Sequence, residues 1–301
     1  MSIIKLSHTA KEKFLVSPRA YYYHYHLYLR EQTLGSPLFF GSLIETGLDV
    51  LFKGGTLEQA KETFRKNFRT YNINGSSVDL SSSKWVRYSK ADLDLDVFSE
   101  SELKALENKT SQFKSWASLQ RKGEMLIEAY YRDIFPKIKK VIAVQKYFSI
   151  VNEADDEING FIDLICEWED GRLIMPDHKT TSMTYPEDAV LTEQYGKQTA
   201  LYYEALKDEY PIDGVGFFVL EKKMRKKEPR ARTQIILDKP PEELIQKTFD
   251  EFDNVAYNIK QGNFPCNAPK CDMYGQSCCY KKYCASNGKD LTGLVKVGKK
   301  V

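Results

Sequence analysis

Apolar and polar positions alternate most clearly between Gly160 and Thr180, in GFIDLICEWEDGRLIMPDHKT. In an extended segment, Phe161, Asp163 and Ile165 share one face, while Ile162, Leu164 and Cys166 share the other. Glu169-Asp170-Gly171 then interrupts the pattern, and Asp-Gly accepts the positive φ that a tight hairpin needs. Apolar residues resume at Arg172–Met175 and run into Asp177-His178-Lys179. The pattern predicts a β-hairpin with an aspartate inside one apolar strand and a D-x-K triplet closing its neighbour. A helical period is legible over 5–16, over the tyrosine-rich stretch after Pro18, and over Phe39–Phe52, where Leu43, Gly47, Val50 and Leu51 form an inner stripe. Further amphipathic helices are predicted over 56–71, 90–131 (one or two helices), 191–207 and 240–261. Strands are predicted over 141–152, 214–221 and 233–237. The Ser-, Asn- and Gly-rich stretch 72–89 reads as a loop.

The candidate chemistry follows from this pattern. Asp177 and Lys179 are two apart on a strand and share a face, and Asp163 can lie across from them. Two carboxylates and a lysine at one point suit a divalent metal and phosphodiester hydrolysis. Glu45 sits among apolar neighbours in its helix, either paired inside or solvated outside. Gln198 and Tyr202 are four apart and share a helix face, with Gln194 one turn earlier. Tyr21, Tyr22, Tyr23, Tyr25 and Tyr28 form either a base-stacking platform or a helix that buries part of its rings. His24 and His26 point to different helix faces and make a poor metal pair. Residues 222–232, including Lys222, Lys223 and Arg225, hold seven basic residues and one acidic, a hairpin tip suited to phosphate contact or to plain solvation.

Bulk charge adds nothing to the nucleic-acid argument, since 44 basic and 42 acidic residues leave +2 over 301 residues. No apolar run approaches the roughly 20 residues of a membrane span, so a soluble cytosolic protein is expected. Of six cysteines, Cys166 stands alone, and five lie between Cys266 and Cys284. That clustering suggests a metal or a local staple more than a disulfide framework.

The order Glu45, Gly160-x-Ile162-Asp163, Asp177-x-Lys179-Thr180, Gln198-x-x-x-Tyr202 resembles the RecB-type branch of the PD-(D/E)XK nuclease superfamily. That branch includes the nuclease domains of RecB and AddB, CRISPR-adaptation exonucleases and many phage exonucleases. The resemblance runs from about Ser7 to Cys284. It implies an α/β fold with a restriction-endonuclease-like core, a mixed central sheet flanked by helices, and a helical insertion. The domain expected is a single one over 1–284, with the insertion at 56–140, a cysteine-rich segment at 264–284 and a flexible tail at 285–301. The implied activity is a Mg²⁺- or Mn²⁺-dependent deoxyribonuclease, an exonuclease of recombination, repair or phage replication in a bacterial or phage-infected cytosol. Its ion would be held by Glu45, Asp163, Asp177 and the backbone carbonyl of His178, with Lys179 acting with Asp163 and Asp177 in catalysis. Gln198, Tyr202, Thr180, Lys222, Lys223 and Arg225 would contact DNA.

Two departures from the pattern stand out. Glu45 occupies the place of a metal-binding histidine, and a carboxylate is also a competent Mg²⁺ ligand. Ser17 occupies the place of a cysteine that, in many relatives, joins three C-terminal cysteines around an iron–sulfur cluster. Those three match Cys271, Cys278 and Cys284, and Cys266 or Cys279 could complete a [4Fe-4S] or zinc site. The partners implied are DNA and a recombination or replication protein. The alternatives are a DNA-binding or assembly subunit with a vestigial site, and a cysteine-cluster interaction module.

Overall fold

A computed structural model of the chain describes residues 3–223, 231–267, 269, 271–273 and 276–298. The chain opens with β1 (Lys5–Leu6), α1 (His8–Val16) and α2 (Pro18–Tyr25). Ser7 caps α1 by accepting from the Ala10 amide, and Ser17 caps α2 by accepting from Ala20, with Pro18 in the first turn, where no amide hydrogen is needed. Then come β2 (Leu29–Glu31), β3 (Leu34–Gly35) and α3 (Ser36–Phe52). A capping box of Thr56 and Gln59 starts α4 (Leu57–Asn67).

The stretch 72–89, expected as a loop, instead begins with a hairpin of β4 (Thr70–Ile73) and β5 (Ser76–Asp79), and holds β6 (Val86–Arg87). The reason is local. Asn74 and Gly75 both take positive φ, 52° and 90°, which is the turn that matches strand twist. The serine-rich composition masked that signal. Helices α5 (Glu100–Leu106) and α6 (Ser111–Asp133) complete this region.

Three long strands follow: β7 (Ile138–Val151), β8 (Glu157–Trp168) and β9 (Leu173–Thr181). Gly171, at φ 90°, makes the predicted turn between β8 and β9. The remainder is α7 (Lys197–Leu206), β10 (Gly214–Glu221), β11 (Arg232–Asp238), α8 (Glu242–Lys260), β12 (Asp272–Met273), β13 (Gln276–Ser277), α9 (Lys281–Ala285) and β14 (Leu294–Lys296). The architecture is mixed α/β, with a mixed central sheet flanked by helices. Among the described residues no helix is long and apolar enough to cross a membrane.

The chain divides into two compact units. The larger comprises Thr33–Lys146 and Ile162–Pro241. Its central strand is β10, parallel to β9 (Phe217↔Asp177, Phe218↔His178) and antiparallel to β11. Every residue of β10 is buried, Glu221 at its end included, and the apolar run 214–220 is what a strand covered on both faces requires. Helix α7 packs on β9 and β10, while α3 and α4 pack together and against α6. Phe39, Phe40, Ile44, Leu48, Phe64 and Phe68 join Leu164, Ile174 and Phe218 in the core. Burying one such side chain contributes about 1.5–3 kcal/mol.

The smaller unit comprises Met1–Gln32, Tyr147–Phe161 and Glu242–Val301. In it β1 runs parallel to the start of β8. Lys11 of α1 is fully buried, and it is satisfied by Glu251 of α8 at 2.8 Å with its ammonium 5.1 Å from the Phe252 ring. The tyrosines of α2 divide as a helix face would divide them: Tyr21 and Tyr23 are buried, Tyr22 and Tyr25 half-buried. The residues after 285, expected as a tail, include β14, which pairs antiparallel with β2 and buries Leu294.

Candidate active site

All the site residues from Glu45 to Tyr202 lie in the larger unit. Strand alternation sets their directions. Asp177 and Lys179 leave β9 on the face covered by α7, and His178 leaves on the opposite face, where its ring lies near Phe52 of α3 and Tyr130 of α6. Strands β8 and β9 pair at Cys166↔Ile174 and Glu167↔Leu173, and continuing that register sets Asp163 opposite Asp177. There the Asp163 carboxylate takes a backbone partner for itself: Oδ2 accepts from the His178 amide at 2.9 Å. Its Oδ1 accepts from Gln145 Nε2 at 3.2 Å. Gln145 has φ 50°, a left-handed residue in the middle of β7.

Helix α3 brings Glu45 to the same point. Gly41 lies against β9 on that side; a Cβ there would come within 3.2 Å of Thr180 Oγ1, a tight contact. Glu45 Oε2 is 3.1 Å from His178 Nδ1. One donor atom each from Glu45, Asp163 and His178 lie within 4.8 Å of one another. Glu45 is therefore half-buried with a partner, the inner of the two readings its sequence left open.

The other face of β9 carries a second network. Lys179 Nζ donates to Gln198 Oε1 at 2.8 Å and lies 2.7 Å from Asp177 Oδ2. Gln198 Nε2 donates to Asp177 Oδ1 at 2.9 Å and to the Tyr202 hydroxyl at 2.6 Å. The Lys179–Asp177 contact is a buried ion pair, with Asp177 Oδ2 facing the ammonium. Tyr202 is buried and bonds inward. Gln194, expected one turn before Gln198, is exposed and lies outside α7, which starts only at Lys197 after its Gly196 cap.

Electrostatics favour added positive charge. Burial, then the neighbouring Glu45, raises the Asp163 carboxyl above its ordinary value. Burial also lifts Asp177 to about 6, against the pull of Lys179. Burial opposes charge on His178, yet Glu45, Asp163 and Asp177 together raise it to about 9. For Lys179 burial is likewise outweighed by Asp177, and its ammonium is held above the usual value. Carboxylates crowded in a low-dielectric place resist ionising unless a cation joins them. Two carboxylates and an imidazole within 4.8 Å of one another are a donor set that fits a divalent metal.

The other expected residues lie elsewhere. Lys222 is half-buried with its ammonium 5.6 Å from the Phe40 ring, Lys223 is exposed, and Arg225 falls outside the described residues. In the smaller unit, Cys266 neighbours Cys271 and Cys284, while Cys279 neighbours Cys278. Among the described residues, no three thiols meet as closely as Glu45, Asp163 and His178 do. Of His178 only the backbone carbonyl was expected at the site; strand alternation turns its imidazole away from Lys179, and the packing of α3 brings Glu45 to it. Nothing local marked Tyr130 or Gln145. No curated protein matches the chain in sequence. A family profile does, over residues 5–285, and it is that of the PD-(D/E)XK nuclease superfamily.

Proposed function

The chain belongs to the PD-(D/E)XK nuclease superfamily, and on that premise we propose that it is a Mg²⁺- or Mn²⁺-dependent deoxyribonuclease of the RecB-like type. Nucleases of this superfamily depend on divalent metal ions and act on DNA. The role proposed is exonucleolytic, in recombination, repair or phage replication. The observation that carries this reading is the meeting of Glu45 and Asp163 beside the Asp177–Lys179 pair.

Glu45, Asp163, Asp177 and the His178 carbonyl are the proposed ligands. A divalent ion there would supply Lewis-acid stabilisation of charge on the phosphodiester oxygens. Lys179 keeps its proton and presents a positive charge to the phosphate and the attacking water. Gln198 holds Lys179 with one end and Asp177 with the other, so both side chains keep one orientation. Tyr202 fixes Gln198 from behind. Thr180, Lys222, Lys223 and Arg225 are proposed contacts for the DNA backbone, with Gln198 at the edge of that path; Tyr202, being buried, supports Gln198 instead of touching DNA.

The cysteine segment is proposed as a local thiolate site, [4Fe-4S] or zinc, drawn from Cys266, Cys271, Cys278, Cys279 and Cys284. Ser17 caps α2 where relatives have a cysteine. Metal analysis of anaerobically purified protein should find iron or zinc that is lost when Cys271 and Cys284 are replaced.

The test of the nuclease reading uses end-labelled single- and double-stranded DNA with Mg²⁺, Mn²⁺ or EDTA. Cleavage should need the metal, release mononucleotides from ends, and disappear in Asp163→Ala and Asp177→Ala while DNA binding persists. Lys179→Ala should slow cleavage with metal still bound. DNA binding without cleavage under every condition would instead make this a subunit with a vestigial site.

A further inference from the structure

His178 has two ring nitrogens, and both are engaged. Nδ1 lies 3.1 Å from Glu45 Oε2, and Nε2 lies 3.1 Å from the Tyr130 hydroxyl. The ring is buried and held on three sides. It stacks on Phe52 at 5.9 Å with 12° between planes, meets Tyr130 edge-on at 5.4 Å, and lies 5.9 Å from Phe218. A ring packed this way has one orientation, and that orientation aims Nδ1 at the point where Glu45 and Asp163 meet.

An ionised carboxylate oxygen has no proton to give. At 3.1 Å, Nδ1 and the Glu45 oxygen either share one hydrogen or face one cation between them. The group behind the ring suits both states, because a phenol hydroxyl either donates or accepts. With hydrogen on Nδ1 alone, Tyr130 donates to Nε2; with hydrogen on both nitrogens, Nε2–H donates to the Tyr130 oxygen. With the lone pair of Nδ1 on a cation, Nε2–H donates to the Tyr130 oxygen. Tyr130 is fully buried, so no water can replace it in either role.

We propose that His178 joins Glu45 and Asp163 as a nitrogen donor to the divalent ion through Nδ1, and that Tyr130 is the positioning residue that holds its ring. The proposal rests on the nuclease reading above and sharpens its metal site. A protein-ligating imidazole regularly gives its second nitrogen to a fixed partner, and loss of that partner weakens metal binding by roughly 10–100-fold. The consequence is selectivity. Mg²⁺ takes oxygen ligands, whereas a nitrogen donor favours the later first-row ions. His178 should make the site prefer Co²⁺ to Mg²⁺ by more than carboxylates alone would.

The experiment is calorimetric titration of the full chain with Co²⁺ and with Mg²⁺, counting as site binding only what is lost in Asp163→Ala. This excludes ions taken by the thiols. His178→Phe keeps an aromatic ring against Phe52 and removes both nitrogens. It should narrow the Co²⁺-to-Mg²⁺ affinity ratio by on the order of tenfold or more, with Mg²⁺ binding changed far less. Tyr130→Phe should weaken Co²⁺ binding by roughly 10–100-fold with the unfolding transition retained. If His178→Phe does not fold, Tyr130→Phe carries the test alone. An unchanged ratio in His178→Phe, or wild-type Co²⁺ affinity in Tyr130→Phe, overturns the proposal and leaves the nuclease reading standing. A wild-type chain that binds neither ion overturns both.

Discussion

Gln198 bridges the two ends of the D-x-K triplet: its oxygen accepts from Lys179 at 2.8 Å, and its nitrogen donates to Asp177 at 2.9 Å. A carboxamide carries its acceptor and its donor on two separate atoms, so it can serve both partners at once. Glutamate would repel Asp177, and leucine would leave Lys179 free to turn. Gln198→Leu should lower kcat by roughly 10–100-fold, as loss of an outer-shell partner does, with little change in DNA affinity. Steady-state and DNA-binding measurements on the same preparation check this. A variant that loses DNA affinity at full kcat would make Gln198 a DNA contact instead of a support for the triplet.

Glu45 is the only carboxylate that α3 brings to the Asp163–His178 point among the described residues. Glu45→Gln keeps the shape and removes the charge. The Mg²⁺ concentration for half-maximal cleavage should rise by at least the roughly 10–100-fold seen for outer-shell losses. An unchanged metal titration would remove Glu45 from the ligand set.

Gln145 holds a left-handed backbone in β7 while its side chain donates to Asp163. A left-handed residue with a Cβ costs about 1–2 kcal/mol. Glycine at that position avoids the clash but loses about 0.5–1 kcal/mol in chain entropy. Gln145→Gly should therefore leave the fold as stable or slightly more stable, while cleavage falls because Asp163 loses a hydrogen bond. Denaturant unfolding and initial rates report the two effects separately. Lower stability with full activity would mean that the backbone, and not the side chain, is what the site needs.

Ser17 accepts from the Ala20 amide at 3.3 Å as the cap of α2. Ser17→Ala should destabilise the smaller unit by about 1 kcal/mol. Ser17→Cys should lose part of the same amount, since a thiol accepts hydrogen bonds weakly. Equal stability of all three proteins in denaturant would show that the cap contributes nothing.

The sequence by itself determined what depends on near neighbours. A period of two placed Asp177 and Lys179 on one strand face, and Asp170-Gly171 closed the hairpin that carries Asp163 back to them. A period of 3.6 put Gln198 and Tyr202 on one side of α7. The Asn74-Gly75 turn was legible too, though serine-rich flanks disguised it as loop. These features depend on backbone stereochemistry within a few residues, so a local pattern is enough to show them.

Tertiary structure alone decided what meets across the chain. His178 reaches Tyr130 across 48 positions and Glu45 across 133, and no periodicity relates residues so far apart. Whether Glu45 faced solvent or the site depended on how α3 packs on β9, where Gly41 lies against Thr180. Alternation said that His178 points away from Lys179, but only the packing of α3 and α6 on that face supplied its neighbours. Long-range partners are chosen by how whole elements pack together, and that choice is not written in any one stretch of chain.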